Sequence, residues 1–224
     1  MRKVIGVVAH GGLFTTELTN EDRYYFGNNY TKRIEACGGL PLGMLPTDAI
    51  LDEAALDYCD AFVICGGSKF WPYHYQVLSH AEVTGKKVLG ICQGMQVMNQ
   101  YFLAIENAPE NTPPVELFST PKPDLGSVEG HANRFLRDRE EESKHAVSLV
   151  EGSLISRLVG GETTLRALSA HKHCVATPSK HITVTGYAED GTIEVIERGD
   201  YMLGVQFHPE ADDKLLSLFR WLCD

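Results

Sequence analysis

The stretch that decides the fold runs from Lys86 to Asn99, KKVLGICQGMQVMN. Its first six residues, KKVLGI, end in a short apolar run, as a buried strand requires. From Gly94 the apolar positions recur with helical spacing. Cys92 sits between the two halves, flanked by Gly90 and Gly94. A strand that turns sharply into a helix places one residue in a strained backbone conformation. The residues two positions to either side then approach closely, and glycine leaves the room. On such a turn Cys92 is exposed at the carboxyl end of a sheet, where open α/β folds bind ligands. The helix N-terminus favours a thiolate there, and the Gln93 N–H points to where an oxyanion forms. The competing reading is a core cysteine at a glycine-rich turn. From this stretch alone the two stand level.

Working outward, the same alternation repeats. KVIGVVA (3–9), LPLGML (40–45), AFVIC (61–65) and KKVLGI (86–91) read as strands. NEDRYYFGNNYTKRIEACGG (20–39), TDAILDEAALDYCD (47–60, with Thr47 and Asp48 as helix-starting residues), YQVLSHAEVTG (75–85) and GMQVMNQYFLA (94–104) read as the helices between them. This predicts βαβ units and a mostly parallel sheet. From Glu106 to about Lys144 the pattern breaks into a Pro-, Asn- and charge-rich segment. A stretch of this length is functional or mobile. Its run RFLRDREEESK (134–144) reads as solvated surface. Short strands follow: HAVSLV, TLRAL, HITVTGYA, TIEVIE and MLGVQF, with Asp190-Gly191 as a hairpin turn. A last helix covers DDKLLSLFRWLC (212–223). The expected fold is therefore α/β, an open, mostly parallel, flavodoxin-like sheet flanked by helices. An antiparallel portion is added in the C-terminal half, all within one domain over 1–224.

The chain has 224 residues with 43% hydrophobic, 22% charged and a net charge of −10. That balance argues against a nucleic-acid or anionic-membrane surface. No apolar run approaches the roughly 20 residues that span a bilayer. The N-terminus lacks the features of a secretion signal. The six cysteines form no C-x-x-C pair, so free thiols in a reducing cytoplasm are expected.

A thiolate nucleophile needs a base, and the base needs an orienting group. In LGVQFHPE, His208 ends an apolar strand and Glu210 follows at i+2, which puts both on one side of an extended chain. Pro209 biases His208 toward that geometry. In SAHKH (169–173), His171 and His173 alternate as two metal ligands on one strand face would, but no third ligand is evident and no metal is expected.

GICQGMQ and GVQFHPE, in this order, resemble the two signature stretches of the class I glutamine amidotransferase family. NNYTKRIEACGGLPLGMLP, CGGSKFWPYHY, SKHAVSLVEGSLISRL and DGTIEVIE are similar to its gamma-glutamyl-gamma-aminobutyrate hydrolase branch, peptidase family C26. The resemblance covers nearly the whole chain, most weakly between Glu106 and Lys144. It implies a Cys92–His208–Glu210 triad that hydrolyses a γ-glutamyl amide through a glutamyl-thioester. It implies an oxyanion hole from the N–H groups of Gly67 and Gln93, a glutamyl contact at Gln96, and substrate-side positions at Ser169 and His171. It implies no cofactor. The branch carries S-x-H-H-Q where this chain has Lys172 and His173 in the last two places, so the substrate is expected to depart from the branch's namesake. The implied partner is a small γ-glutamyl substrate. A homodimer, or a separate synthetase that takes ammonia from a glutaminase subunit, are the protein partners this reading admits.

Overall fold

The structure is a computed structural model that describes residues 1–12, 23–132 and 143–224. The start of the first expected helix and nearly all of the charged run 134–144 lie outside the described residues.

Nine strands form the main sheet: β1 (Val4–Val8), β2 (Leu40–Met44), β3 (Ala61–Ile64), β4 (Lys87–Ile91), β5 (Lys144–Leu149), β6 (Thr164–Leu168), β7 (Thr183–Ala188), β8 (Ile193–Arg198) and β9 (Met202–Val205). Their order across the sheet is β2-β1-β3-β4-β9-β8-β7-β5-β6. The first five run parallel; β9, β8, β7, β5 and β6 pair antiparallel in turn. This is the expected α/β architecture, with its antiparallel addition. The hairpin between β7 and β8 turns at Asp190 and at Gly191, whose φ of +85° suits glycine.

The helices are α1 (Asn28–Ala36), α2 (Glu53–Tyr58), α3 (Pro72–Thr84), α4 (Gln93–Asn107), α5 (Pro114–Leu117), α6 (Leu154–Leu158) and α7 (Leu216–Cys223). One core, including Ile34, Val63, Leu89, Val205 and Phe219, joins α1, α6 and α7 to one face of the sheet. A second, including Phe62, Tyr73, Leu78, Val88 and Phe102, lies under α2, α3 and α4 on the other. Strands buried on both faces read as continuous apolar runs, which is why the parallel half was recognisable.

Three local expectations are corrected. The second helix starts at Glu53, not at Thr47-Asp48. Thr47 and Ile50 pair across a tight turn in which Asp48 and Ala49 both have positive φ, and Asp52 caps the helix by accepting the Ala54 N–H. The first helix starts only at Asn28, because Arg23–Tyr25 forms a short strand paired with His10–Gly12. The third starts at Pro72, three residues early, since proline suits the first helical turn. Two short helices, α5 and α6, carried no readable period. At α6 the buried Glu197 carboxylate accepts the N–H groups of Leu154 and Ile155, a charge complementary to a helix N-terminus.

Candidate active site

β3, β4 and β9 lie side by side and parallel, so their carboxyl ends meet at one edge. One residue past β4 is Cys92. Gly66 and Gly67 follow β3 on one side, and His208 follows β9 on the other. Cys92 has φ +53° and ψ −106°, a strained conformation for a non-glycine residue. Its N–H donates to the Val205 carbonyl of β9 at 2.7 Å, which fixes the turn. The glycines are sterically required. A Cβ on Gly94 would lie 2.3 Å from the Ile64 carbonyl oxygen, and one on Gly90 would lie 2.8 Å from the Gly94 backbone.

His208 and Cys92 meet at Gly66. A Cβ on Gly66 would come within 3.1 Å of His208 Cε1 and 3.3 Å of Cys92 Cβ. His208 Nδ1 lies 2.7 Å from Glu210 Oε1, and both residues are buried. Burial works against the imidazolium. The Glu210 carboxylate and the neighbouring Cys92 sulfur outweigh it and push His208 up to about 10. The structure therefore brings the three together: a sulfur on a strained turn, an imidazole beside it, and a carboxylate fixing that imidazole. Such a set can deliver a nucleophilic sulfur and move a proton between it and a leaving group.

Cys92 opens onto a cavity of about 850 Å³, and His208 and Glu210 line a second of about 450 Å³. Gly67 borders both. Gln93, Gln96 and Gln100 face the larger cavity from one side of α4. They hold its walls by donating to loop carbonyls: Gln93 to Lys69, Gln96 to His173 at 2.8 Å and Gln100 to Pro123 at 2.8 Å. Gln96 also donates to the buried Gln206 Oε1 at 3.0 Å. The first N–H groups of α4 have no carbonyl one turn earlier in the helix to bond. The opposite wall comes from Thr120, Pro121, Lys122, Asp124 and Leu125, within the irregular segment, and from His171 to His173.

The last two sequence candidates are placed differently from each other. His171 lines the cavity, but its ring turns away toward Glu194. Ser169 is fully buried and donates its hydroxyl to the His131 carbonyl at 2.8 Å.

Two contributors went unread in the sequence. Tyr30 on α1 is buried, accepts the Gly66 N–H at 3.1 Å and faces the Glu210 carboxylate. Arg33, one turn on, donates to the Glu210 carbonyl at 3.0 Å. The readable signal was the i, i+3 spacing of Tyr30 and Arg33, which share one helix face.

A model of the Peptidase C26 family matches residues 3–86 and 76–210. A glutamine amidotransferase-like protein of Rickettsia prowazekii is 25% identical over 236 aligned residues, covering 84% of this chain and 83% of its own. Imidazole glycerol phosphate synthase subunit HisH of Symbiobacterium thermophilum is 31% identical over 157 residues, 66% of each chain. Among solved structures, the glutaminase domain of Trypanosoma brucei CTPS with bound acivicin superposes with a TM-score of 0.66 at 16% identity, over 98% of this chain and 91% of that one. The fold and the matches define a glutamine amidotransferase-like hydrolase. The chain belongs to the Peptidase C26 family. No helix among the described residues is long and apolar enough to cross a membrane.

Proposed function

We propose that the protein hydrolyses a γ-glutamyl amide through a glutamyl-thioester on Cys92. The observation that carries this is the convergence of Cys92 and His208 at Gly66, with Glu210 2.7 Å from the far side of the imidazole. Cys92 Sγ attacks the γ-carbonyl carbon while His208 holds the proton of the pair. The C–N bond breaks and His208 returns that proton to the departing amine. Water then attacks the thioester; His208 takes its proton and gives it back to the sulfur as glutamate leaves. The oxyanion is held by the N–H groups of Gln93 and Gly67. Gln96, with both amide protons committed to His173 and Gln206, presents its remaining oxygen to the glutamyl group.

The amine sits against the irregular wall, where Lys122 and Lys172 line the cavity with Asp124. That wall, together with Lys172 in place of the branch's histidine, favours an amine other than the namesake of the gamma-glutamyl-gamma-aminobutyrate branch.

A second reading is a glutaminase subunit that passes ammonia to a separate synthetase. It is favoured by the relative that is a synthase subunit and by the fold shared with a CTPS glutaminase domain. One experiment separates the two. The pure protein is incubated with glutamine and with a panel of γ-glutamyl amines, and released glutamate and the acylated chain mass are measured. Turnover of the amides supports the first reading. Turnover of glutamine that appears only with a partner extract supports the second. No acylation of Cys92 by any member of the panel sinks the first.

A further inference from the structure

The antiparallel half holds a second buried cluster that the proposed hydrolysis does not use. His131 Nδ1, His171 Nε2 and Glu194 Oε1 converge from three separate parts of the chain. The two nitrogens are 3.2 Å apart, and they lie 3.4 and 3.3 Å from the carboxylate oxygen. Glu194, on β8, is 0% exposed, His131 6% and His171 4%.

The outer bonds of each ring fix which atom faces inward. His131 Nε2 lies 3.1 Å from the Asp190 carboxylate, so it carries the ring proton and Nδ1 presents a lone pair. His171 Nδ1 lies 3.0 Å from the His173 carbonyl, which can only accept, so Nε2 presents its lone pair as well. Two lone pairs and a carboxylate oxygen thus face one another in a dry interior. Among the described residues, neither oxygen of Glu194 has a hydrogen-bond partner of good geometry. Three acceptors this close need a proton or a metal cation between them.

The spacing has the size of a metal site. An ion about 2.0–2.1 Å from each of four tetrahedral ligands sets those ligands about 3.3–3.4 Å apart. Imidazole with carboxylate is a ligand set that zinc accepts. Each ring's outer nitrogen bonded to a carboxylate or a carbonyl is the usual support of a metal-bound histidine. His145 Nε2 lies 3.5 Å from Glu194 Oε2, the other carboxylate oxygen.

We propose that His131 Nδ1, His171 Nε2 and Glu194 Oε1 bind one divalent transition-metal ion of the zinc type. The ion pins the 169–173 loop to the sheet. The His173 carbonyl that receives His171 also receives Gln96, so the ion steadies the substrate wall from behind. The role is one of positioning, since His171 points its ring away from the cavity.

The test uses the full chain and reads metal directly. Protein desalted without chelator is assayed for bound metal. It is then stripped and titrated with Zn²⁺ against a chromophoric competitor, and with Co²⁺ by visible absorption. About one equivalent of zinc, a dissociation constant below about 1 μM and a four-coordinate cobalt spectrum without a thiolate charge-transfer band are expected. The melting temperature should rise with zinc. Glu194→Gln and His131→Ala should each weaken binding by at least about 100-fold. Wild-type protein that takes up neither ion overturns the proposal, because the cluster then holds a proton. A thiolate band, or affinity unchanged in both variants, overturns it too and assigns the ion to the free cysteines. Neither readout depends on hydrolysis, so the result stands apart from the fate of the proposed reaction.

Discussion

Two buried carboxylates, Glu210 and Glu194, meet histidine in opposite ways. Glu210 serves one imidazole at 2.7 Å, and that imidazole's other side faces a cysteine. Glu194 is shared by three imidazoles at 3.3–3.5 Å, with no sulfur among them. The short single pair fixes one ring and keeps a proton close to a reacting atom. The long shared set has too few protons and too many lone pairs for a stable network of hydrogen bonds. One arrangement suits proton transfer and the other suits a held cation.

The largest effect is expected at the sulfur. Cys92→Ser should lower turnover on the order of 10⁴-fold or more, with circular dichroism and melting temperature nearly unchanged. An unfolded variant would return Cys92 to the role of a core residue. Next comes a matched pair of amide substitutions. Glu210→Gln should cost on the order of 10³-fold in kcat, because the ring loses its orienting anion. Glu194→Gln, assayed with saturating substrate, should leave most of kcat while lowering the melting temperature. If the two variants lose turnover equally, the clusters are not functionally distinct.

The parallel half and the strained turn at Cys92 were legible because each is written in contiguous residues. Apolar runs of strand length, Gly90 and Gly94 at two steps from Cys92, and the closeness of His208 and Glu210 in sequence are all local signals, although Glu210 lies in a 3-10 turn over Pro209–Ala211 and not on the extended chain that the i, i+2 reading expected. The fold built from them matches the expectation down to the antiparallel addition. What was hidden is what the fold assembles from afar. Glu194 reads as one polar residue in TIEVIE, and nothing nearby announces three histidines from 131, 145 and 171. The alternating histidines of SAHKH were weighed as a ligand pair, but the pairing uses only His171. His173 contributes its carbonyl instead. The signal was a carboxylate at a strand position that the apolar pattern reserves for the core. Likewise, Thr47-Asp48 has good capping chemistry, but Asp52 lies nearer the helix and wins.

The pair at Glu210 also predicts a pH effect of definite sign. His208 has a folded-state value near 10 against an ordinary 6.5. A raised value means the folded state binds the proton more tightly, so this contribution is fully present below about pH 6.5. It is lost as pH rises through 6.5 to 10. Urea midpoints measured across that window should fall for the wild type. They should fall less for His208→Asn, which has no ring to titrate. A flat wild-type curve would mean that the Glu210 carboxylate does not hold an imidazolium.

The smallest effect sharpens the comparison from the side of α1. The buried Tyr30 hydroxyl accepts the Gly66 N–H at 3.1 Å, at the same glycine where Cys92 and His208 meet. Burial raises the phenol well above its ordinary value, with the Glu210 carboxylate adding to it, so the phenol stays protonated and can donate toward that carboxylate. Tyr30→Phe leaves the Gly66 N–H buried without its acceptor, at a cost of about 1–3 kcal/mol in stability. It also removes a donor from the anion that orients His208. A loss of about 10-fold in kcat with KM unchanged is expected, together with a shift in the alkaline limb of the pH–rate profile. A merely structural hydroxyl would lower the melting temperature and leave that limb in place. Arg33 does not substitute for it, because its bond goes to the Glu210 main-chain carbonyl and cannot tune the carboxylate directly. The glutamate at the cysteine therefore faces a tyrosine hydroxyl with its side chain and accepts from an arginine with its backbone. Among the described residues, the charged neighbours of Glu194 are the three histidines, as around a metal-bound carboxylate.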